Sequence, residues 1–388
     1  MTKTGRTDWF LFAIAAGLAC FGALMVYSAS AMISLRETQN ETQFAYFYKQ
    51  LGFTVAGLLV MYAASRLDYH IFNNKYVVVS IIAISVVLLL AVFGFSPING
   101  ARRWIRLGGF SLQPSELTKI ALPVFLAWFL TRNEDSVGEL KSTVFPCLLA
   151  LMLLGGLVFI EPDLGTTIVL CAIFSAVYFA AGAKMLHIAA VASAMVVLGF
   201  GALIIAPWRV ERIMAFLDPF KYADDAGYQV VQSLYALGSG GILGEGFAKG
   251  QQKLFYLPYP YSDFIFSVVG EELGLVGTLA VVLAFGLLLW RGARAAMLAP
   301  DRFGMLLGIG ITTGIVVQAL FNISVVISIL PAKGIPLPFI SYGGSSVMVT
   351  LLAVGILLNI SQHAAREKAA ADRENEFAQG RKSRSAAA

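Results

Sequence analysis

Asp263 opens a long apolar run in "SDFIFSVVGEELG", and Glu271 and Glu272 follow eight and nine residues later. A carboxylate at the mouth of an apolar helix can do two things. It can cap the helix N-terminus, a contribution of about 0.3–1 kcal/mol. Partly desolvated, it can also serve as a general base, because burial raises its proton affinity toward the working pH. The same oxygens could instead hold a divalent cation, Mg²⁺ or Mn²⁺, through Asp263. Glu271 and Glu272 lie two turns deeper, where an acid is a functional suspect by default. Partners across a tight helix contact explain them as well, and we read them as structural.

A second group is cationic. Arg102, Arg103, Arg106 and Lys119 cluster around the start of another apolar run, and Arg209, Arg212, Lys221, Lys249 and Lys253 sit in one long polar stretch. Arg presents a planar fork that suits phosphate. Glu116 and Lys119 are spaced i, i+3 and so share one helix face, where a mutual salt bridge would explain both. Asp163 and Glu161 flank Pro162 at a tight turn, and Asp163 either caps the following helix or faces a ligand. Cations gathered in this way could meet an anionic ligand.

The elements that must position these residues are membrane helices. The chain has 388 residues, of which 58% are hydrophobic and 13% charged, against about a quarter charged in soluble domains. Ten apolar runs are long enough, or nearly so, to cross a bilayer: Trp9–Ala29, Tyr48–Ala64, Tyr76–Phe95, Pro114–Leu130, Ser142–Phe159, Leu164–Ala181, Met185–Ala206, Phe264–Trp290, Phe303–Leu330 and Ser345–Ile360. Strands with open edges cannot cross lipid. The fold class is therefore an all-α polytopic membrane protein of about ten transmembrane helices. The first run is too long for a secretory signal and more spans follow it.

Most Lys and Arg residues fall on one side if both termini are cytoplasmic. That arrangement leaves three polar outer segments: Ser96–Lys119, the long loop Pro207–Ser262 between helices 7 and 8, and Pro331–Ser346. The working face is then outside. Arg102, Arg103, Arg106 and Lys119 sit there against the charge rule, which suggests an anionic ligand in the outer leaflet. Residues 364–388 form a charged, basic tail expected to be disordered beyond the membrane. Cys20, Cys147 and Cys171 lie in apolar runs and show no metal spacing. His70, His187 and His363 read as too dispersed for a zinc site. The glycines of "GSGGILGEG" lack the context of a nucleotide loop and read as a re-entrant loop approaching lipid backbone-first. "SYGGSS" reads as a close helix entry or a nest for an anionic group.

Five segments carry a resemblance: "GARRWIRLGGFSLQPSELTKIA" (Gly100–Ala121), "EPDLGTT" (Glu161–Thr167), "GYQVVQSLYALGSGGILGEG" (Gly227–Gly246), "YSDFIFSVVGEELGLVG" (Tyr261–Gly277) and "LPAKGIPLPFISYGGSS" (Leu330–Ser346). Their order resembles the SEDS family of shape, elongation, division and sporulation proteins, and the likeness covers residues 1–363. It implies a ten-helix plasma-membrane glycosyltransferase that polymerises lipid II, the undecaprenyl-pyrophosphate-linked disaccharide peptide, on the outer face. The implied partners are a class B penicillin-binding transpeptidase and other divisome membrane proteins, with no nucleic acid. "GARRWI", "LTK" and the Lys of "LPAKG" are similar to the division branch (FtsW), which implies the septum. "GIPLPFISYGGSS" is closer to the elongation and sporulation branches (RodA, SpoVE).

"SDFIF" matches the family's "TDFIF" and makes Asp263 the catalytic candidate. The resemblance adds Arg102, Arg103, Trp104, Gln113, Glu116, Lys119, Asp163, Arg212 and Lys333 as substrate-binding candidates. Trp104 could equally be an interfacial belt residue, and the Glu116–Lys119 pair could be purely structural. The chain departs from the division pattern "EYLPEAHTD" by reading "FYLPYPYSD", with Phe255, Tyr259, Pro260 and Tyr261 in place of Glu, Glu, Ala and His. Asp263 must therefore act with fewer helpers. One carboxylate suffices for an inverting transfer, since pyrophosphate leaves without protonation. A lipid II flippase is the rival reading, and it requires polar groups reaching both faces.

Overall fold

The computed structural model describes residues 7–97, 100–108, 110–187, scattered positions between 189 and 201, and 207–386. Nine helices among them match nine of the ten apolar runs: α1 (Trp9–Glu37), α2 (Ala45–Arg66), α3 (Lys75–Ala91), α4 (Pro114–Arg132), α5 (Phe145–Ile160) and α6 (Leu164–Ala180), then, after two shorter helices, α9 (Ile265–Met297), α10 (Arg302–Val326) and α11 (Gly344–Ala386). The seventh run, Met185–Ala206, lies mostly outside the described residues, as do the side chains of most of the tail.

Among the described residues, six helices are long and apolar enough to cross a bilayer by length and composition. The helices α2 and α4 fall short because polar residues interrupt them, and those residues point inward. Gln50 and Thr54 of α2 and Ser115, Glu116 and Thr118 of α4 are all buried. The most enclosed spans are α10 and the membrane part of α11, with 72% and 78% of their apolar windows buried. Around them α10 packs on α4, α6 and α9, while α11 lies along α2. Capping follows the expected chemistry: Asp8 accepts from Leu11 N at 3.0 Å, Asn74 from Tyr76 N at 2.9 Å and Asp301 from Gly304 N at 2.8 Å.

The polar segments at the cavity face are not irregular throughout. Ile105–Leu107 (β1) pairs antiparallel with Phe110–Leu112 (β2), Ile105 opposite Leu112, around a turn with Gly108 at φ 61°. The long loop carries two amphipathic helices, α7 (Pro207–Leu217) and α8 (Tyr228–Ser239).

The acids inside α9 hold this loop down. Glu272 pairs with buried Lys253 at 2.5 Å and accepts from Ser28 Oγ at 2.5 Å and Ala248 N at 2.9 Å. Glu271 accepts from the backbone of Gln251 and Gln252 at 2.6 and 3.0 Å. These contacts satisfy charges that would otherwise be costly at that depth. The "GSGGILGEG" glycines approach the α9 backbone rather than lipid. At the Gly274 kink (φ 65°, ψ −161°), Leu275 N donates to Gly241 O at 2.9 Å and Gly246 N to Glu272 O at 3.0 Å. A Cβ on Gly244 would meet Glu272 O at 2.2 Å, so no larger residue fits there.

Candidate active site

The loops at one end of the bundle enclose a cavity of about 720 Å³. Its lining comes from the hairpin segment, the α5–α6 turn, α7, α8, the segment before α9, and the α10–α11 connection. Seven of the ten residues singled out from the sequence line it: Arg103, Trp104, Gln113, Asp163, Arg212, Asp263 and Lys333. Arg102, Glu116 and Lys119 do not.

Asp263 precedes α9 and is fixed through its backbone. Asn322 of α10 donates to Asp263 O at 2.8 Å and to Ile335 O at 2.7 Å. Ser341 Oγ donates to Ser262 O at 2.6 Å, and Tyr342 N to Tyr261 O at 2.9 Å. The segment Leu330–Ser346 is thus laced to Tyr261–Asp263, and the two motifs form one unit. The Asp263 carboxylate does not cap the helix: Phe264 occupies the N-cap, with no side-chain hydrogen bond. Among the described residues no donor is assigned to that carboxylate. Burial pushes its pKa up to about 6, with Asp163 adding to the rise while Arg103 and Arg212 hold it down.

Arg103 donates through Nε to Glu161 O at 3.1 Å and through Nη2 to Pro162 O, so the "RW" segment is locked onto the α5–α6 turn. Asp163 does cap α6, accepting from Thr166 N at 3.2 Å and Thr166 Oγ1 at 2.9 Å, and Gln113 Nε2 reaches it at 3.3 Å. Its oxygens are committed to these donors, so it shapes the wall as an anchored anion. Arg212 Nη1 donates to Ala332 O at 3.3 Å, beside Lys333. The cations Arg103, Arg212 and Lys333 therefore converge on the cavity that holds Asp263.

Glu116 and Lys119 instead form a buried ion pair at 2.7 Å. Lys119 Nζ donates to Gln318 Oε1 at 2.5 Å, and Gln318 Nε2 to Pro336 O at 2.8 Å. The pair braces α4 against α10 and supports the cavity loop from below. Arg102 is exposed and donates to Phe93 O at 2.8 Å.

Asn322, Gln318 and Gln50 were not singled out from the sequence, and Ser341 was read only as the start of "SYGGSS". Gln50 Nε2 donates to Ser341 O, and its Oε1 accepts from Gly343 N, both at 3.3 Å. The available signal was an amide inside an apolar run, which in lipid needs a partner across helices. Where the division pattern has acids and a histidine, this chain builds an aromatic cluster. Tyr261 packs 4.9 Å from Tyr46 and 5.7 Å from Tyr342.

The chain as a whole is similar to known proteins in sequence and in fold. The family model described as "Cell cycle protein", which spans FtsW, RodA and SpoVE, matches residues 8–366. A probable peptidoglycan glycosyltransferase FtsW of Trichlorobacter lovleyi is 40% identical over 363 residues, 92% of this chain and 94% of that protein. Stage V sporulation protein E of Bacillus subtilis is 37% identical over 364 residues, 93% of this chain and 99% of that one. A solved chain of a peptidoglycan synthase complex superposes with TM-score 0.74 at 25% identity, covering 92% and 98%. The rod shape determining protein RodA of Thermus thermophilus superposes with TM-score 0.65 at 25% identity, covering 92% and 97%. With its helical bundle and cavity, the chain belongs to the FtsW, RodA and SpoVE family of cell cycle proteins.

Proposed function

We propose that this chain polymerises lipid II into glycan strands, with Asp263 as the general base. One observation carries the reading: the Asp263 carboxylate, with no donor assigned to it among the described residues, shares a cavity with Arg103, Arg212 and Lys333. A volume of about 720 Å³ suits a small-ligand site. The acceptor sugar's 4-hydroxyl oxygen bonds to the donor's anomeric carbon as the bond from that carbon to the pyrophosphate oxygen breaks. The hydroxyl proton passes to Asp263, a contribution of typically 10²–10⁴-fold. The departing pyrophosphate carries its charge into the field of the three cations, which are in place before reaction begins. Trp104 offers a flat apolar wall for a sugar ring.

A divalent cation, as Mg²⁺ or Mn²⁺, would supply further charge neutralisation at the pyrophosphate. Asp263 would hold it together with substrate oxygens, since Asp163 is occupied by its own donors. A class B penicillin-binding transpeptidase is the partner we assign. The support is that the matching solved chain comes from a complex coordinating polymerization and crosslinking. Relatives named FtsW favour a septal role in the plasma membrane. The cavity is lined from helix ends and loops at one end of the bundle, which favours a polymerase over a flippase.

The test is polymerisation of labelled lipid II by the purified chain with its transpeptidase. Wild type should build strands, and Asp263→Ala should build none while remaining monodisperse. A folded Asp263→Ala chain that polymerises normally removes the base assignment. Lipid II crossing liposomes without strand formation favours the flippase instead.

A further inference from the structure

The three histidines are not all dispersed. His70 lies in the short turn Tyr69–Asn73 after α2, and His363 lies near the membrane end of α11, 293 positions later by number. Their rings come within 5.7 Å, centroid to centroid, with Asp68 alongside. Asp68 Oδ1 is 2.6 Å from His70 Nδ1 and 3.7 Å from His363 Nε2. One ligand atom from each of the three residues lies within 4.8 Å of the others.

The hydrogen bonds around the rings decide which atoms face the centre. His363 Nδ1 is 3.1 Å from Asn359 O. A carbonyl only accepts, so Nδ1 carries the hydrogen and a neutral ring leaves Nε2 as a bare lone pair turned to Asp68. His70 lies between two carboxylates, with Nε2 3.1 Å from Asp301 Oδ2 and Nδ1 2.6 Å from Asp68 Oδ1, so Nδ1 faces the same centre and can give up its hydrogen to a metal ion. Asp68 Oδ1, His70 Nδ1 and His363 Nε2 thus face one centre, which a proton or a metal ion can fill.

The supporting shell is built as metal sites build theirs, with the far ring nitrogen of each histidine held by a carbonyl or carboxylate. Asp301 is held by the Tyr69 hydroxyl and by Gly304 N at 2.8 Å. Asn359 accepts from Tyr69 N at 2.9 Å and donates to Ser65 O at 3.0 Å.

We propose that Asp68, His70 and His363 form a binding site for a divalent transition-metal ion of the zinc class. Two imidazoles and one carboxylate, completed by water, suit zinc or cobalt better than magnesium. With zinc–nitrogen bonds of about 2.0–2.1 Å, the ligands need to shift by only about an ångström. Asp68 and His70 are about half exposed, which leaves a path for the ion. The site lies opposite the cavity. By number, α2 and α11 each run about twenty residues, roughly 30 Å, between the two ends. Their cavity ends carry Gln50 and Ser345, the latter accepting from Gln113 N. A bound ion would staple the two helices that position the cavity loop.

The experiment uses the full chain in detergent, without a polyhistidine tag, stripped with chelator and titrated with Co²⁺. One equivalent should bind, with the ligand-field absorption of nitrogen-coordinated cobalt, and Zn²⁺ should displace it. Asp68→Asn and the double variant His70→Gln/His363→Gln should bind at least tenfold more weakly. Zn²⁺ should raise the melting temperature of wild type and not of Asp68→Asn. Wild type that binds no more Co²⁺ than the double variant overturns the site. So does a melting temperature that rises on acidification but ignores Zn²⁺, since a proton then fills the cluster. Should the double variant fail to fold, Asp68→Asn, at a half-exposed position, decides alone by the same comparison.

Discussion

Replacing Gly334 by alanine should cripple turnover without touching a charged residue. A methyl group at position 334 would sit 2.6 Å from Asp263 Oδ2. Ordinary carbon–oxygen contacts lie at about 3.3–3.6 Å, so one partner must move by roughly 0.7–1 Å. The Asp263 backbone cannot yield easily, because Asn322 and the bond from Ser341 Oγ to Ser262 O hold it to the same loop. The carboxylate therefore swings. A misplacement near 1 Å can cost about 10²-fold, equivalent to about 2.7 kcal/mol of barrier. Initial rates of lipid II polymerisation should show kcat reduced about 10²-fold with KM little changed. Gly343→Ala is the control: it lines the same cavity, but its new methyl would meet only Ser346 Cβ, at an ordinary 3.6 Å. A Gly334→Ala chain with wild-type kcat and unchanged melting temperature would show that the position of Asp263 does not matter.

Two further outcomes are expected. Arg103→Ala should lower kcat/KM by tenfold or more, because Arg103 lines the cavity and ties down the α5–α6 turn, whereas exposed Arg102→Ala should change it less than twofold; matched losses in the two variants would reduce both to headgroup attraction. Glu161 is fully buried with neither carboxylate oxygen hydrogen-bonded, and burial first, then Asp163, pushes its pKa up to about 8 against the pull of Arg103. Its folded-state affinity for a proton exceeds the unfolded one, so its stabilisation is complete below about pH 4.5 and is lost as pH rises through about 8. Glu161→Gln should flatten that decline when melting temperature is followed from pH 5 to 9; a variant as pH-sensitive as wild type would mean the acid is ionised throughout.

The spans were legible because lipid imposes one dominant rule, and nine of the ten apolar runs coincide with described helices. The cavity was legible as a set of motifs, since a cluster of Arg residues in outer segments has no topological reason to exist. Its connections were not. Asn322 and Gln318 are amides within an apolar run, and their partners lie in other segments of the chain. The Glu116–Lys119 spacing correctly implied a pair, but spacing cannot say whether the pair faces a ligand or another helix, and here it faces Gln318. The meeting of His70 with His363 is long-range, so dispersion along the chain was misleading. The β1–β2 hairpin was missed because three-residue strands give no usable alternation.

The most direct test of Asp263 as the base is the pH dependence of single-turnover lipid II polymerisation. With its pKa near 6, the carboxylate is roughly a tenth ionised at pH 5 and nine-tenths at pH 7. The rate should climb about tenfold between those values and then level off. A rate that stays flat across that interval, with the chain folded throughout, would contradict the account.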